Sequence, residues 1–264
     1  MPHTPRKRFS QNFLIDGTVV AAIVAAIAPR LDDNMVEIGP GKGALTRPLT
    51  ERVAQLHVIE IDRDLAAALR ERYAPERLLV HEGDALDFDF GKLGPRLRVV
   101  GNLPYHISTP ILFRLVDCVH VLHDVHVMLQ KEVVDRMVAP AGGSEYGRLS
   151  VMLQYYFDME NVLDVPPDAF YPQPKVMSSV VRMMPRAEKI AAKDAPMLQR
   201  IVTAAFAQRR KTLRNTLNAY LAAQDYAELG LDPRARAQEL DVETFVKIAD
   251  YVAARSAVTP SCAR

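Results

Sequence analysis

Cysteine is nearly absent from this chain: Cys118 and Cys262 are the only two in 264 residues, and no C-x-x-C pair occurs. That excludes a disulfide framework and a cysteine-based zinc or redox motif of the usual spacing. Long apolar runs are lacking too. The segment from residue 19 to 28 is apolar but reaches only half the length of a membrane span before Pro29-Arg30 ends it. The N-terminus is basic, yet Arg6-Lys7-Arg8 leads into the polar Ser10-Gln11-Asn12, not into the apolar stretch of a secretory signal. Net charge is small, since 33 Lys and Arg face 32 Asp and Glu. With no internal repeat and no low-complexity tract, a composition of 49% hydrophobic and 25% charged residues excludes disorder, collagen and coiled coil as the main theme. A soluble cytoplasmic protein is expected, with no membrane segment. No exposed heptad or interface stripe points away from a monomer.

The charge that is present is unevenly placed. Residues 1–15 hold Arg6, Lys7 and Arg8 with no acid before residue 16, and residues 195–224 hold Arg200, Arg209, Arg210, Lys211 and Arg214 with no acid at all. Two basic blocks far apart in sequence suit a polyanionic partner if folding brings them to one face. Between them, β-branched runs at 35–38, 57–61, 78–81, 97–100 and 125–129 alternate with helical patterns at 44–52, 63–73 and 109–116. That alternation predicts an α/β fold with a doubly wound, mostly parallel sheet. Runs at 150–156 and 179–184 have no convincing helix between them and read as an antiparallel edge pair. Pro185 and the charged stretch 186–194 read as a linker, and the pattern then turns helical over 196–221, 233–236 and 242–254. The expected domains are therefore 1–185 and a small all-helical 186–264.

The chemistry-bearing residues cluster at strand ends. Gly39-Pro40-Gly41-Lys42-Gly43 follows the first strand of the alternation and opens a helix, where glycines let a ligand approach the backbone. Its spacing is G-x-G-x-G, neither the dinucleotide fingerprint nor a P-loop, which disfavours a nicotinamide enzyme. Glu60 ends the second strand, 21 positions after Gly39, close to the spacing of a ribose-binding carboxylate. Asp84 follows the third strand and can accept from an adenine amino group. Together these describe a nucleoside pocket. After the fourth strand comes Asn102-Leu103-Pro104-Tyr105. An exocyclic adenine amine is a poor nucleophile because its lone pair is delocalised. An Asn oxygen and a backbone carbonyl beside a proline can accept both its hydrogens, freeing the lone pair for in-line attack on a methyl sulfonium. Tyr105 would stack on the extruded base. His120, His123 and His126 form an H-x-x-H-x-x-H run, but a helix or a strand would turn the third away from the first two, and no metal is expected.

At this point the sequence resembles the small-subunit ribosomal RNA adenine N6-dimethyltransferases, the KsgA family, over nearly its whole length. The resemblance rests on Lys7-Arg8-Phe9-Ser10-Gln11-Asn12-Phe13-Leu14, Glu37-Ile38-Gly39-Pro40-Gly41, Gly101-Asn102-Leu103-Pro104-Tyr105 and Leu129-Gln130-Lys131-Glu132-Val133. It continues through Tyr146-Gly147-Arg148-Leu149-Ser150, Phe170-Tyr171-Pro172-Gln173-Pro174-Lys175-Val176 and Gln208-Arg209-Arg210-Lys211-Thr212-Leu213-Arg214-Asn215. The last two favour the ribosome-biogenesis branch over the related macrolide-resistance enzymes.

The resemblance implies a Rossmann-like, S-adenosylmethionine-dependent enzyme that dimethylates two adjacent adenines in the 3′-terminal hairpin loop of 16S rRNA in the immature small ribosomal subunit. Carried over by position, the cofactor contacts are Asn12, Leu14, Gly39, Gly41, Glu60, Asp84 and Asn102. The catalytic residues are Asn102, Leu103, Pro104, Tyr105 and Phe170, with Phe170 on the far face of the base. RNA contacts are expected from Arg6, Lys7, Arg8, Arg209, Arg210, Lys211 and Arg214, the last four on a helix. Lys42 and His106 depart from the residues common in the family. An alternative role is an rRNA-binding assembly checkpoint whose methylation is secondary. A DNA adenine methyltransferase is disfavoured by Leu103 and by the Arg209-Arg210-Lys211 segment.

Overall fold

The structure, a computed structural model, describes residues 12–187 and 190–258. A two-residue strand β1 (Phe13–Leu14) leads into α1 (Gly17–Ile27), whose first amides at Thr18 and Val19 donate to the Asp16 carboxylate at 2.7 and 3.1 Å. Strands and helices then alternate: β2 (Met35–Ile38), α2 (Thr46–Thr50), β3 (Leu56–Glu60), α3 (Arg63–Arg72), β4 (Leu78–Glu82), β5 (Leu97–Asn102), α4 (Ser108–Asp117), β6 (Leu122–Gln130) and α5 (Lys131–Val138). After α6 (Arg148–Gln154) come β7 (Phe157–Val165), β8 (Phe170–Tyr171) and β9 (Ser178–Pro185).

Seven strands form one sheet in the order β4-β3-β2-β5-β6-β9-β7. The pairs β2/β3, β3/β4, β2/β5 and β5/β6 are parallel, and β9 runs antiparallel to β6. All four residues of β2 are buried, as a central parallel strand covered on both faces requires. Strand order reverses between β2 and β5, so a crevice opens beyond their carboxyl ends, where such folds bind ligands. Gly101 permits the β2/β5 approach there. It sits opposite Ile38, and a Cβ on it would lie 2.6 Å from the Ile38 carbonyl oxygen. At the start of β5, Arg98 is buried and tied to Asp33 at 2.5 Å, to Asp124 at 2.7 Å and to the Ile27 carbonyl at 2.7 Å. This buried cluster joins the entries of β5 and β6 to the end of α1.

Two expectations need correction here. Residues 150–156 are not an edge strand; most of the run forms α6, and the sheet is completed by β7 instead. A short apolar run carries no period that separates a buried helix from a buried strand. Ser150, Val151, Met152 and Leu153 are all buried, and the Ser150 hydroxyl oxygen accepts the Gly147 amide at 2.9 Å to start the helix. The division at residue 185 is also incomplete. The chain separates into two compact units, 1–134 with 158–185, and 135–157 with 186–264, so α6 belongs with the C-terminal helices.

The second unit contains α6, α7 (Ala195–Phe206), α8 (Leu213–Thr216), α9 (Ala223–Leu229) and α10 (Val242–Val258). Tyr146, Phe206 and Phe245 form an aromatic chain in its core, with ring centroids 6.3 and 5.7 Å apart. The helix expected over 196–221 stops at Phe206, and the turn expected to be helical at 233–236 is not. No apolar residue between Gln208 and Thr212 seats a continuing helix on the core; Leu213 is the next to be buried. Among the described residues, no helix is long and apolar enough to cross a membrane.

Candidate active site

Four strand ends of the first unit converge on one cavity of about 280 Å³. From the glycine turn after β2 come Gly39 and Gly41, from the end of β3 Glu60, and from the turn after β4 Asp84. The end of β5 supplies Asn102, Leu103, Pro104 and Tyr105, and the N-terminal strand supplies Asn12 and Leu14. Ten residues singled out from sequence thus line a single space, at the crevice the strand order predicts.

The glycine turn needs its glycines. Gly39 and Gly41 have φ of +66° and +56°, in the left-handed region that disfavours a side chain. A Cβ on Gly41 would also lie 3.1 Å from the Phe13 ring. The turn is bound to the ribose-type acid: the Gly41 amide donates to Glu60 Oε2 at 3.0 Å and the Asp62 amide to Glu60 Oε1 at 2.9 Å. Each oxygen keeps a lone pair for a ligand hydroxyl. Burial nevertheless pushes the Glu60 pKa above the ordinary carboxylate value, against the pull of those two amides. Asp84 Oδ1 accepts the Leu86 amide at 2.9 Å, which fixes the carboxylate at the cavity edge.

At the reacting end, Asn102 Nδ2 donates to the Asn12 carbonyl at 3.0 Å. Its donor side is thereby engaged, and the amide oxygen is the group presented to a ligand. The Leu103 amide donates to the Met128 carbonyl at 3.1 Å, which anchors the turn on β6 while Pro104 stiffens it. Tyr105 starts a short 3-10 turn (Tyr105–Ile107), and its hydroxyl is 2.8 Å from Ser178 Oγ. That contact and partial burial hold the ring as a fixed face; burial raises the phenol pKa, against the lowering pull of the Ser178 hydrogen bond.

Residues with no role assigned from sequence also contribute to the site. Glu37, in the middle of β2, lines the cavity and accepts from Thr46 Oγ1 at 2.7 Å. Burial pushes its pKa up to about 8, and neighbouring Glu60 adds to the rise. An acid inside an otherwise apolar strand was the available signal. Lys42 stands 4.6 Å from the centre of the Phe13 ring, a cation–π contact that gives this departure from the family pattern a place. Gly101 carried a signal too, because glycine inside a strand marks close backbone approach.

Phe170 is placed differently from the expectation. It is buried, pairs with Leu14 across β1/β8 and packs in the hydrophobic cluster that includes Val24 and Met128; it does not line the cavity. A ring already enclosed by apolar neighbours supports β1 from behind, so a base-stacking role is not what this arrangement provides. Arg6, Lys7 and Arg8 lie outside the described residues. In the second unit, Arg209, Arg210 and Lys211 lie on an exposed turn, not a helix, and Arg214 is exposed on α8. The single helix expected to carry these four cations is therefore absent, and only Arg214 lies in a helix. His120 lies on a 3-10 turn while His123 and His126 share β6 three positions apart, on opposite faces. No group of three or more metal-type ligands occurs among the described residues.

Comparison with known proteins bears on the same residues. A family model described as ribosomal RNA adenine dimethylase matches residues 2–254. The Ribosomal RNA small subunit methyltransferase A of Aromatoleum aromaticum is 58% identical over 255 residues, 96% of this chain and 96% of that one. Among solved structures, a dimethyladenosine transferase from Plasmodium falciparum superposes with a TM-score of 0.78 at 25% identity, covering 89% of this chain and 95% of that chain. The 23S rRNA methyltransferase ErmE gives 0.71 at 26%, covering 92% and 100%. With the cavity, the Asn102 turn and the match over almost its entire length in agreement, the chain belongs to the ribosomal RNA adenine dimethylase family.

Proposed function

We propose that this chain is an S-adenosylmethionine-dependent methyltransferase that dimethylates N6 of two adjacent adenines in the 3′-terminal hairpin loop of 16S rRNA, acting on the immature small ribosomal subunit. The observation that carries this reading is Asn102, which lines the cavity with an amide N–H held by the Asn12 carbonyl, leaving its oxygen as the acceptor for a ligand. Glu60 and Asp84 line that cavity beside one lysine, together with Glu37, which burial keeps largely protonated near pH 7. An acidic lining suits a nucleoside that carries positive charge and repels the pyrophosphate of a dinucleotide.

Bound there, S-adenosylmethionine supplies a methyl group on a positively charged sulfur. The residues of the chain do the rest. Glu60 accepts from ribose hydroxyls and Asp84 from the adenine amine of the cofactor. Asn102 Oδ1 and the Leu103 carbonyl accept the two hydrogens of the target amine, which localises its lone pair. Tyr105, held at its hydroxyl by Ser178, gives the extruded base a face to stack on. The nitrogen sheds its proton after attack, so positioning and polarisation are the chain's contribution and no general base is required.

Single substitutions separate these roles. Asn102→Ala lowers methyl transfer at least about 100-fold, the scale of losing one aligned polar group at a reacting centre. Glu60→Ala chiefly weakens cofactor binding, read by calorimetric titration. A fully active Asn102→Ala protein removes Asn102 from the mechanism. The exposed basic turn at Arg209, Arg210 and Lys211 favours a second role in holding pre-subunits. In that case Asn102→Ala protein remains bound to unmethylated subunits and lingers on them.

A further inference from the structure

A second concavity, about 900 Å³ in volume, shares a wall with the cofactor cavity: Phe13, Leu14, Lys42 and Ala44 line both. Nothing in the proposed chemistry uses it. Tyr171 stands at its edge, 62% exposed, held on β8 by backbone pairing opposite Phe13. Lys42, Arg47, Arg52 and Arg72 line the groove against one acid, Glu51.

Among the described residues these cations are not neutralised from within. Glu51 approaches Arg47 only to 3.8 Å, with the two side chains 63% and 81% exposed, a pair worth little in water. Arg52 and Arg72 donate to the uncharged Pro48 and Lys42 carbonyls at 2.7 and 3.4 Å. Lys42 lies over a neutral ring. An open aromatic face beside uncompensated cations in one groove is the arrangement that holds unpaired nucleic acid. Bases stack on the ring whatever their identity, and phosphates meet the cations.

We propose that this groove holds an unpaired RNA segment next to the reacting adenines, with Tyr171 stacking on one of its bases and Arg47 and Arg52 on its phosphates. The inference rests on the reading of rRNA as the substrate and deepens it. Two adjacent adenines cannot both occupy one pocket. When one is drawn out of its stack its flanking nucleotides lose stacking partners too, and the shared wall places a replacement surface directly beside the cavity.

The test uses the full chain, with Tyr171→Ala, Tyr171→Phe and a paired Arg47→Glu, Arg52→Glu variant. Each is assayed for methyl transfer to unmethylated small subunits across a salt series, and for S-adenosylhomocysteine binding by calorimetry. Tyr171→Ala is expected to raise the KM for subunits about tenfold, within the range for one stacked base, and Tyr171→Phe to stay within about twofold because it keeps the ring. The paired charge reversal raises KM and flattens its dependence on log salt by about 1.4, roughly 0.7 for each lost single-strand phosphate contact. S-adenosylhomocysteine binding stays at the wild-type value in all three.

Wild-type KM and salt slope in both Tyr171→Ala and the charge-reversed protein would overturn the inference. So would an equal loss in Tyr171→Phe, or a loss that follows weakened S-adenosylhomocysteine binding. If the wild-type protein transfers no methyl to subunits, the substrate reading fails by itself. Anisotropy with the labelled 3′-terminal rRNA hairpin then decides the groove: affinity that falls in Tyr171→Ala supports it, and affinity indifferent to that change contradicts it.

Discussion

Glu37 shows how much a single residue of the site can cost the fold. Its pKa is pushed up to about 8 by burial, from an ordinary 4.5, with the Thr46 hydroxyl pulling the other way. Because the folded value lies above the unfolded one, Glu37's contribution to stability is fully present below pH 4.5 and is lost as the pH climbs toward 8. Glu37→Gln keeps an acceptor for Thr46 and removes the titration. It should stabilise the ligand-free protein at pH 7 by on the order of 3 kcal/mol and flatten its stability between pH 5 and 8, read by urea denaturation. An unchanged pH profile would show that Glu37 titrates as an ordinary carboxylate. Residues whose role is local were legible in the sequence: Gly39, Glu60, Asp84 and Asn102 each sit at a strand end, and spacing along the chain measures strand ends well. Phe170 was not legible. Its environment is set by β1, more than 150 positions earlier in the chain, and by the core behind it.

Secondary-structure elements were readable where period and punctuation agreed. Four of the five strands of the parallel alternation fall where apolar runs end in glycine or acid, β6 running instead into Gln130-Lys131, and α3 is capped by Asp62, whose carboxylate accepts the Asp64 amide at 3.0 Å. The run that became α6 failed that reading because burial on every side erases periodicity. Pairing between elements supplies the sharper prediction. Gly101→Ala would drive a methyl group into the Ile38 carbonyl, forcing β2 and β5 apart at the mouth of the cavity. A loss of about 1–3 kcal/mol is expected, together with weakened cofactor binding. Gly17→Ala, at the start of α1 with nothing within 4 Å of the new Cβ, should instead be neutral or stabilise by up to about 1 kcal/mol. Thermal melts of the two variants would test the contrast, and an equally stable Gly101→Ala protein would contradict the strand-contact argument.

At the scale of the whole molecule, the catalytic sheet and the C-terminal helices are interleaved along the chain, with 135–157 inserted into the first unit's sequence but packed with the second. No local signal marks such a crossing, since each segment satisfies its own helix or strand rules and only packing assigns it. What composition did convey is the contrast between an acid-lined cavity in one unit and exposed cations in the other. A nucleoside with positive charge and a polyanionic acceptor are the pair of substrates that contrast suits. The most direct test is transfer of radiolabelled methyl from S-adenosylmethionine into three acceptors: unmethylated small subunits, naked small-subunit rRNA and duplex DNA. The account predicts label in the subunits, recovered as N6,N6-dimethyladenine at two adjacent positions of the 3′-terminal hairpin and absent when Asn102 is alanine. Label in none of the three, with subunit binding retained, would contradict it and leave the chain as a binding protein.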